Sequence, residues 1–403
     1  MKKIHISYFL SLVILCLGCN MAHPVTPTYI AERGISSPMF GYAFSAAMLT
    51  MFLTSPLYGK LCNYYATKKI LVLTTLGYCL GQFFFFLARS DAAMFSARLF
   101  AGLFSGGMWT AALNYIVNTS EDEERGRNLT IFVTVQSVFN AMGFFLGGVL
   151  GEITTETALL AQVGTLLLSA LLFFFVCVDD TDRKERPETP LRVKDVNPFS
   201  AFLDVRKYTT GLLTLLFLIT VIANTGVITF EQEFNFYIMD HFHLTSGYNG
   251  AFKAAIAIVS FIVNSTVSLR LMKKTNVNFV ALPVLICCAV PLGMILLFDN
   301  IVPFVVMDVT FYAFNAIRLP ILQNQISDVA PIHYRNNAMG FYQSMTCLGS
   351  FLGGMFAGSL YMADKRLPFL VAFGTFCVAS AIGLLYLKKY RRQNPGTTLK
   401  RKK

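Results

Sequence analysis

Twelve stretches of mostly apolar residues follow one another along nearly the whole of this 403-residue chain. Each holds about 20 residues, which as an α-helix rising 1.5 Å per residue can cross the roughly 30 Å hydrocarbon core of a bilayer. The chain is 55% hydrophobic but only 14% charged, whereas an ordinary soluble domain carries about 25% charged residues. This pattern predicts an all-α membrane protein with spans at 6–30, 38–60, 68–88, 92–116, 128–151, 157–178, 209–238, 248–270, 277–298, 302–326, 336–361 and 367–387.

The basic residues are distributed unevenly between the two sides that these spans define. With both termini cytoplasmic, 26 of the 33 Lys and Arg residues fall on the cytoplasmic side, 4 on the outer side and 3 within spans. This positive-inside bias predicts that orientation for an integral multi-pass protein of a plasma membrane, which we expect to be a bacterial inner membrane. The net charge of +11 does not indicate nucleic-acid binding, because no folded basic domain accompanies it.

The longest hydrophilic stretch, 179–207, separates six spans from six others. Its mixed charges and prolines cannot bury a core of their own. We therefore predict a six-helix bundle at 1–178, a cytoplasmic linker at 179–207, a second six-helix bundle at 208–388 and a basic cytoplasmic tail at 389–403. The end of the linker, NPFSAFLDVRKY, is predicted to lie on the membrane surface as a short amphipathic turn.

The two predicted bundles repeat one another in sequence. Gly143-Phe-Phe-Leu-Gly147-Gly148 recurs as Gly349-Ser-Phe-Leu-Gly353-Gly354, and Gln136-Ser137 recurs as Gln343-Ser344. Each copy follows a short basic loop, ERGRN in the first bundle and HYRNN in the second. Parallel six-helix repeats are typical of carriers in which one half rocks against the other. The fold class is therefore predicted to be two pseudo-symmetric bundles with twelve transmembrane helices, although chance similarity of two glycine-rich helices is the alternative.

Three local motifs occur in the order of a known family. They are GKLCNYYATKKIL after the second span, RLFAGLFSGG in the fourth and GFFLGG in the fifth. With the twelve spans and the central loop, they resemble the major facilitator superfamily, in particular its twelve-helix drug:proton antiporters. The resemblance implies a conformational-switch role for the residues that match its motifs, which are Gly59, Asn63, Lys68, Gly102, Gly143, Gly147 and Gly148.

Two of these motifs depart from the family pattern. Asn63 stands where the family has an aspartate, and an amide lacks the negative charge that a helix N-terminus favours by roughly 0.3–1 kcal/mol. The latch that this loop forms in relatives is therefore expected to be weaker here. Phe144 stands where the antiporter motif has a proline, which weakens the inference of antiport.

Ionisable groups inside the apolar spans are costly and so indicate function. The candidates for proton coupling are Glu231, His23 and Arg98, the last implied by the resemblance. Glu231 shares a helical stripe with polar residues, whereas Glu233 lies about 200° away around the helix and is expected to face elsewhere. The repeat offset carries His23 to positions 229–230, so it and Glu231 are expected at one height in a shared cavity. The alternatives are an interfacial carboxylate, a neutral histidine and a structural arginine.

Other polar and aromatic residues within the spans are candidates for lining a substrate cavity. Arg318 is a plausible partner for an anion or carboxylate, unless its side chain extends to the membrane surface. Phenylalanine contributes 38 residues, and a cavity rich in phenylalanine with few fixed charges suits amphipathic organic molecules. The candidates are Asn20, Trp109, Tyr115, Gln136, Asn140, Asn224, Phe234, Asn235, Asn315, Arg318 and Gln343.

These features predict a secondary active transporter that moves a small, amphipathic organic compound by alternating access, as proton-coupled efflux. The alternative is a proton-coupled importer of a nutrient or organic acid, with Arg98 or Arg318 pairing with the substrate. No nucleotide-binding loop, zinc motif or nucleophile elbow occurs in the sequence, so we expect no enzyme activity and no metal. The proton gradient is the expected energy source, with no other cofactor, and the protein is expected to act as a monomer.

Overall fold

The computed structural model describes residues 3–36, 39–183, 197–242, 246–298 and 300–399, with side chains throughout except at 3–5, 183, 235–236, 239–240, 246–251 and 253–254. In these ranges every regular element is a helix and no strand occurs. The α-helices are α1 Lys3–Asn20, α2 Thr26–Glu32, α3 Met39–Tyr64, α4 Thr67–Leu87, α5 Asp91–Thr119, α6 Asp122–Ile153, α7 Thr155–Val176, α8 Pro198–Tyr208, α9 Gly211–His241, α10 Ser246–Val263, α11 Leu269–Lys274, α12 Ala281–Ile295, α13 Ile301–Val329, α14 Arg335–Ala363 and α15 Leu367–Gln393.

Each of the twelve predicted spans coincides with one helix or with a broken pair of helices. In the described residues, nine helices are long and apolar enough to cross a membrane. Shorter apolar stretches occur at Ile6–Asn20 in α1 and Ala281–Ile295 in α12. The remaining span, α5, is 29 residues long but less apolar, because Arg98 and several small and polar residues interrupt it. The all-α membrane fold predicted from the sequence is confirmed.

Two predicted spans are interrupted in ways that the hydropathy pattern did not reveal. The first breaks between α1 and α2, since Pro24 has no N–H to donate to the carbonyl of Asn20, and α2 starts again with a proline in its first turn. The eighth consists of α10 and α11 joined by a π-helical segment, Asn264–Ser268. Such wide turns inside α-helices are uncommon and are frequent at functional sites.

The chain forms two compact units. Unit 1 comprises Met1–Glu121, Val135–Tyr208 and Pro331–Ser344, and unit 2 comprises Asp122–Thr134, Thr209–Ala330 and Met345–Lys403. The beginning of α6 thus belongs to unit 2, and the beginning of α14 belongs to unit 1. The division into residues 1–178 and 208–388, which follows the sequence repeat, stays a prediction about the two halves of the chain.

The repeated glycines make the same kind of helix crossing in each unit. In unit 1, a Cβ on Gly143 would lie 2.9 Å from the Cα of Leu17. In unit 2, a Cβ on Gly349 would lie 2.6 Å from the carbonyl oxygen of Val221. Only a residue without a side chain permits such close backbone contact between helices. The sequence repeat therefore corresponds to a structural repeat, in which α6 crosses α1 as α14 crosses α9.

Candidate functional site

Two carboxylates lie close together on neighbouring helices of unit 2. Asp308 in α13 is 0% exposed, and neither of its carboxylate oxygens has a hydrogen-bond partner among the described residues. Glu231 in α9 is partly exposed and lies within electrostatic range of both Asp308 and Tyr312. An ionised carboxylate that has lost its water without gaining a partner is strongly disfavoured.

An aromatic cluster adjoins this acidic pair through Tyr312, whose ring lies 6.1 Å from that of Phe230. The ring of Phe230 is fully buried and lies 5.3 Å from that of Phe311 and 5.4 Å from that of Phe369. Tyr237 stacks on Phe304 at 5.3 Å, and these edge and stacked geometries are the favourable ones for aromatic rings. The site is therefore apolar apart from its carboxylates and the hydroxyls of Tyr237 and Tyr312. We call it the acidic aromatic site, formed by Phe230, Glu231, Phe234, Tyr237, Phe304, Asp308, Phe311, Tyr312, Phe369 and Phe376.

The neighbouring Glu233 has a different environment from Glu231. Its exposed fraction is 5%, whereas Glu231, two residues earlier on the same helix, is partly accessible. This difference matches the sequence argument that the two carboxylates occupy different helix faces. The role of Glu231 in proton coupling stays a prediction, and Glu233 offers a matched control for it.

The other predicted cavity residues of unit 2 are engaged mainly in helix packing. Asn224 donates from Nδ2 to the carbonyl oxygen of Thr346 at 2.7 Å and to the hydroxyl of Ser350 at 2.8 Å. Arg318 donates from Nε to Oδ1 of Asn315 at 2.9 Å, and its guanidinium lies 5.9 Å from the ring of Phe376. Arg318 thus lies at the edge of the acidic aromatic site.

Phe234 packs within that site, with its ring 5.9 Å from that of Phe304. Asn235, the remaining candidate on α9, lies outside the residues whose side chains are described.

Arg98 in unit 1 is held without a carboxylate. Its Nη1 donates to Oε1 of Gln82 at 3.2 Å, and its guanidinium carbon lies 3.8 Å from the centre of the Phe85 ring. In the described part of the chain, Arg98 forms no ion pair. A cation over an aromatic face is stabilised without being neutralised, so Arg98 keeps its charge available to a bound anion.

The other candidates of unit 1 differ in how far they are buried. Tyr115 is fully buried, stacks on Tyr8 at 4.7 Å, and accepts at its hydroxyl a hydrogen bond from the backbone N–H of Val178. His23 is exposed in the turn between α1 and α2. The half-buried candidates are Asn20, Trp109, Gln136, Asn140 and Gln343.

The switch residues on α3 contact the beginning of α14, both within unit 1. A Cβ on Gly59 would lie 2.6 Å from the carbonyl oxygen of Asn336 and 2.9 Å from the Cα of Gly340. Asn63 donates a short hydrogen bond from Nδ2 to Oδ1 of Asn337. The motif residue that replaces the family's aspartate thus makes an uncharged amide contact. We call this contact of Gly59, Asn63, Asn336, Asn337 and Gly340 the α3–α14 crossing.

Of the remaining predicted switch residues, two glycines contact neighbouring helices closely and one has open space beside it. A Cβ on Gly102 would lie 2.7 Å from the Cα of Ala47, and one on Gly147 would lie 2.7 Å from the Cα of Met21. Gly148, in contrast, has no atom within 4 Å of such a Cβ. Lys68 lies with its ammonium 5.2 Å from the centre of the Phe174 ring.

The beginning of α6 contacts α13 in unit 2 through charge. Nη1 of Arg125 lies 3.3 Å from Oδ1 of Asp328, and Asn324 donates to the other carboxylate oxygen at 3.2 Å. Arg125 is 3% exposed and Asp328 is 41% exposed, so solvent and salt reach the pair from the side of its carboxylate. We call this contact the α6–α13 ion pair.

Asp308 is the functional candidate that sequence reasoning missed. It lies within the predicted span 302–326, where a carboxylate is costly, so the signal was present in the sequence. The candidates predicted in this span were Asn315 and Arg318, which lie further along it. The sequence did not reveal that Asp308 has no hydrogen-bond partner among the described residues or that it lies in electrostatic range of Glu231. Both depend on how α9 packs on α13.

Comparisons with known proteins agree with this architecture. The sequence profile of the Major Facilitator Superfamily matches residues 8–317 and 312–403. Multidrug resistance protein 2 of Bacillus subtilis is 23% identical over 403 residues, covering 98% of this chain and 97% of that relative. Quinolone resistance protein NorA of Staphylococcus aureus is 22% identical over 408 residues, covering 97% of each chain.

Solved structures of transporters share the fold. The human organic anion transporter MFSD10 (TETRAN) superimposes with a TM-score of 0.81 at 15% identity, covering 95% of this chain and 100% of the other. The transporter FucP superimposes with a TM-score of 0.75 at 14% identity, covering 96% and 99%. Twelve helical spans, repeated glycine crossings and these matches define a membrane transporter rather than an enzyme. The chain belongs to the Major Facilitator Superfamily.

Proposed function

We propose that this transporter exports amphipathic organic compounds in exchange for protons, with Glu231 and Asp308 as the groups that carry the proton. The observation that carries the proposal is a fully buried Asp308 without a hydrogen-bond partner among the described residues, in electrostatic range of a partly accessible Glu231. Two carboxyl groups in one largely apolar site need a proton, water or a cation to compensate their charge.

The proton then acts as a ligand that selects between conformations. A protonated pair is compatible with a dry site, whereas an ionised pair requires water or a positive group nearby. Release of the proton therefore favours the conformation in which the carboxylates are hydrated or bound to substrate. Alternating exposure of the site to the two sides of the membrane couples this cycle to transport. Arg98 and His23 remain further candidates for proton coupling.

The surroundings of the pair support an amphipathic substrate that carries positive charge. Aromatic rings supply a large apolar contact area, and the two carboxylates supply the complementary charge. The names of the two bacterial relatives, one for multidrug resistance and one for quinolone resistance, favour export of such compounds. Their identity to this chain is low, so the substrate is proposed from the site itself.

The proposal is tested with purified protein in liposomes that carry an imposed pH gradient. The probe is a permanently charged amphipathic dye, which a pH gradient alone does not concentrate. Wild-type protein is expected to accumulate the dye against its gradient. Glu231→Gln and Asp308→Asn are expected to exchange labelled for unlabelled dye but to show no accumulation beyond protein-free liposomes.

Glu233→Gln serves as the matched control, because Glu233 lies on the same helix but faces elsewhere. It is expected to accumulate the dye as the wild type does. Full gradient-driven accumulation by both Glu231→Gln and Asp308→Asn would remove the acidic pair from the mechanism. Loss of accumulation in the Glu233 variant alone would show that Glu233, and not the acidic pair, couples transport to the proton.

A second candidate function is proton-coupled import of an organic acid or other nutrient. The specific observation that favours it is Arg98, whose guanidinium is bound by Gln82 and Phe85 but by no carboxylate in the described residues. Arg318 is the corresponding candidate in unit 2. The same liposomes distinguish the two functions, because an importer moves organic anions in the direction of proton flow and an exporter moves the dye against it.

We also propose that both termini lie in the cytoplasm, that the membrane is a bacterial inner membrane and that the protein acts as a monomer. The charge asymmetry of the loops supports the orientation. Reporter fusions at the two termini test it, since a fluorescent protein that matures only in the cytoplasm is expected to fluoresce at both ends. Single-molecule photobleaching of such fusions in sparse vesicles is expected to show one step.

A further inference from the structure

The linker helix α8 contacts both members of the α3–α14 crossing. Asp204 of α8 accepts a hydrogen bond at 2.6 Å from Lys60 of α3. The ring of Phe202 lies 5.0 Å from that of Phe52 in α3 and 5.7 Å from that of Phe341 in α14. All of these residues belong to unit 1. One short helix therefore bridges the two helices that cross at Gly59 and Gly340.

The carboxyl end of α8 strengthens this bridge. Tyr208 is buried, stacks on Tyr334 at 5.4 Å, and donates from its hydroxyl to the carbonyl oxygen of Asn337 at 3.4 Å. Asn337 is the residue that pairs with Asn63. The inner face of α8 thus reaches the crossing itself as well as the helices on either side of it.

The outer face of α8 is apolar at its start and basic at its end. Phe199 and Leu203 lie one turn apart, and each is 66% exposed. Arg206 and Lys207 follow at the next turn and are also exposed, although Lys207 pairs with Asp204 at 2.5 Å. A short helix with exposed large apolar side chains beside basic ones is typical of helices that lie in a membrane interface.

The chain connection limits the distance between α8 and the membrane. Only Thr209 and Thr210 separate it from α9, which begins a membrane span at Gly211. A link of this length reaches no further than about 11 Å. The carboxyl end of α8 therefore lies within about 11 Å of the first residue of a membrane span.

We propose that α8 docks its outer face, Phe199, Leu203, Arg206 and Lys207, onto anionic phospholipid and thereby holds the α3–α14 crossing closed. The basic side chains complement anionic headgroups, and the two apolar side chains enter the interface between headgroups and acyl chains. Lipid bound to the outer face keeps α8 in place, and its inner face keeps α3 against α14. Separation of α3 from α14 then requires release of α8 from at least one of them.

Contact with lipid is tested directly with the variant Phe199→Trp. The chain has one tryptophan, Trp109, so the difference between the variant and the wild type reports on position 199. In vesicles with phosphatidylglycerol, we expect blue-shifted emission that brominated lipids quench. Phe202→Trp, on the inner face, is the matched control and is expected to resist quenching. Unquenched, water-like emission at position 199 would overturn the proposal.

Coupling to the crossing is tested with the cysteine pair Asn63→Cys and Asn337→Cys, whose side chains are in direct contact. Oxidative cross-linking is expected to be faster in vesicles containing phosphatidylglycerol than in phosphatidylcholine alone. Arg206→Gln is expected to reduce this lipid effect by up to about fivefold, and the pair Phe199→Ser and Leu203→Ser is expected to abolish it. Each single cysteine variant controls for the native cysteines.

Two further variants separate lipid docking from general damage. Ile332→Ser removes a side chain of similar exposure, 59%, that is not on α8, and it is expected to leave the lipid effect intact. Asp204→Asn weakens the bridge to Lys60 and is expected to slow cross-linking in both kinds of vesicle while leaving lipid contact at position 199. Cross-linking that is equal in the two lipids for the unaltered helix would show that α8 binds the membrane without controlling the crossing.

Discussion

The α3–α14 crossing and the α6–α13 ion pair involve helix beginnings that the sequence repeat makes equivalent, yet they are held by different physics. The crossing consists of two glycines in backbone contact and an uncharged amide pair. The ion pair joins a buried Arg125 to the carboxylate of Asp328. One contact depends on the absence of side chains, and the other depends on charge. The helix beginnings are equivalent in the repeat, but their partners α3 and α13 are the second and tenth spans and are not. Equivalent segments therefore make contacts that differ in both partner and chemistry.

The two contacts are therefore expected to respond differently to ionic strength. Salt screens charge but does not alter steric fit. The ion pair is therefore expected to weaken with ionic strength. The direct contacts of the crossing, Gly59 with Gly340 and Asn63 with Asn337, are expected to be insensitive to it. This asymmetry follows from Asn63, which removes the charge that the family's motif normally supplies.

The largest expected effect comes from adding a methyl group within the crossing. In Gly340→Ala, the new Cβ would lie 2.7 Å from the carbonyl oxygen of Ser55 and 2.8 Å from the Cα of Gly59. The helices must move apart, at a cost of about 1–3 kcal/mol in the free energy of unfolding. Thermal denaturation in detergent and cross-linking of Asn63→Cys with Asn337→Cys measure the change.

Gly358→Ala, on the same helix, is the control because its Cβ would have no atom within 4 Å. It is expected to be neutral or slightly stabilising, since alanine favours helix more than glycine does. Equal destabilisation by the two substitutions would mean that the crossing depends on helix flexibility rather than on close contact.

A somewhat smaller effect is expected from removing the charge at the ion pair. Arg125→Gln removes the ion pair with Asp328 and is expected to cost about 1–2 kcal/mol, because the carboxylate is 41% exposed and water partly replaces the lost cation. The loss relative to wild type is expected to shrink at high salt. Asp122→Asn, which removes the exposed partner of Arg125 within the same helix, is expected to cost no more than about 0.5 kcal/mol. A salt-independent loss in Arg125→Gln would contradict the charged character of this contact.

A moderate effect is expected from Asn63→Ala. The substitution removes one neutral hydrogen bond and leaves the buried amide oxygen of Asn337 without its donor, which costs about 1 kcal/mol. Denaturation at low and at high salt is expected to show the same loss. A loss that grows at low salt would indicate that a charged group takes part in the crossing.

The smallest effect is expected from pH, acting through the bridge between α8 and α3. Burial by itself raises the pKa of Asp204, but the hydrogen bonds and charges of Lys207 and Lys60 outweigh burial and lower that pKa. A lowered pKa means that the bridge contributes fully above the ordinary aspartate value of about 4 and is lost as the pH falls through the lower folded value.

Cross-linking of Asn63→Cys with Asn337→Cys is therefore expected to be flat between pH 5 and 7 apart from the ionisation of the thiols themselves. Comparison with the same pair in an Asp204→Asn background removes that contribution. A difference between the two backgrounds that disappears already near neutral pH would contradict the lowered pKa.

Much of the fold was predictable from the order of the residues. The lengths of the apolar stretches predicted the twelve spans, and the recurrence of Gly143 and Gly147 as Gly349 and Gly353 predicted equivalent crossings. The break at Pro24 and the π-helical segment were not predicted, because a hydropathy profile contains no information on backbone hydrogen bonds. The exchange of helix beginnings between the two units was also beyond the sequence, since local patterns do not say which distant helix a segment contacts.

The site was predictable only in part, and for a physical reason that concerns membranes. A side chain that faces lipid and one that faces another helix are both apolar, so periodicity separates them poorly. Helical spacing distinguished Glu231 from Glu233, but nothing in the spacing indicated that Tyr115 stacks on Tyr8 or that Asn224 bonds to α14.

The sequence by itself determined that this chain crosses a bilayer as two related sets of helices, because the length and apolarity of each stretch leave few alternatives in lipid. It also identified the costly ionisable groups. Only the tertiary structure decided which of those groups meet, since Asp308 and Glu231 are 77 positions apart and come together through the packing of α13 on α9. Tertiary packing likewise placed α8 against both α3 and α14. The contacts of α8 with these helices depend on shape and charge across distant parts of the chain.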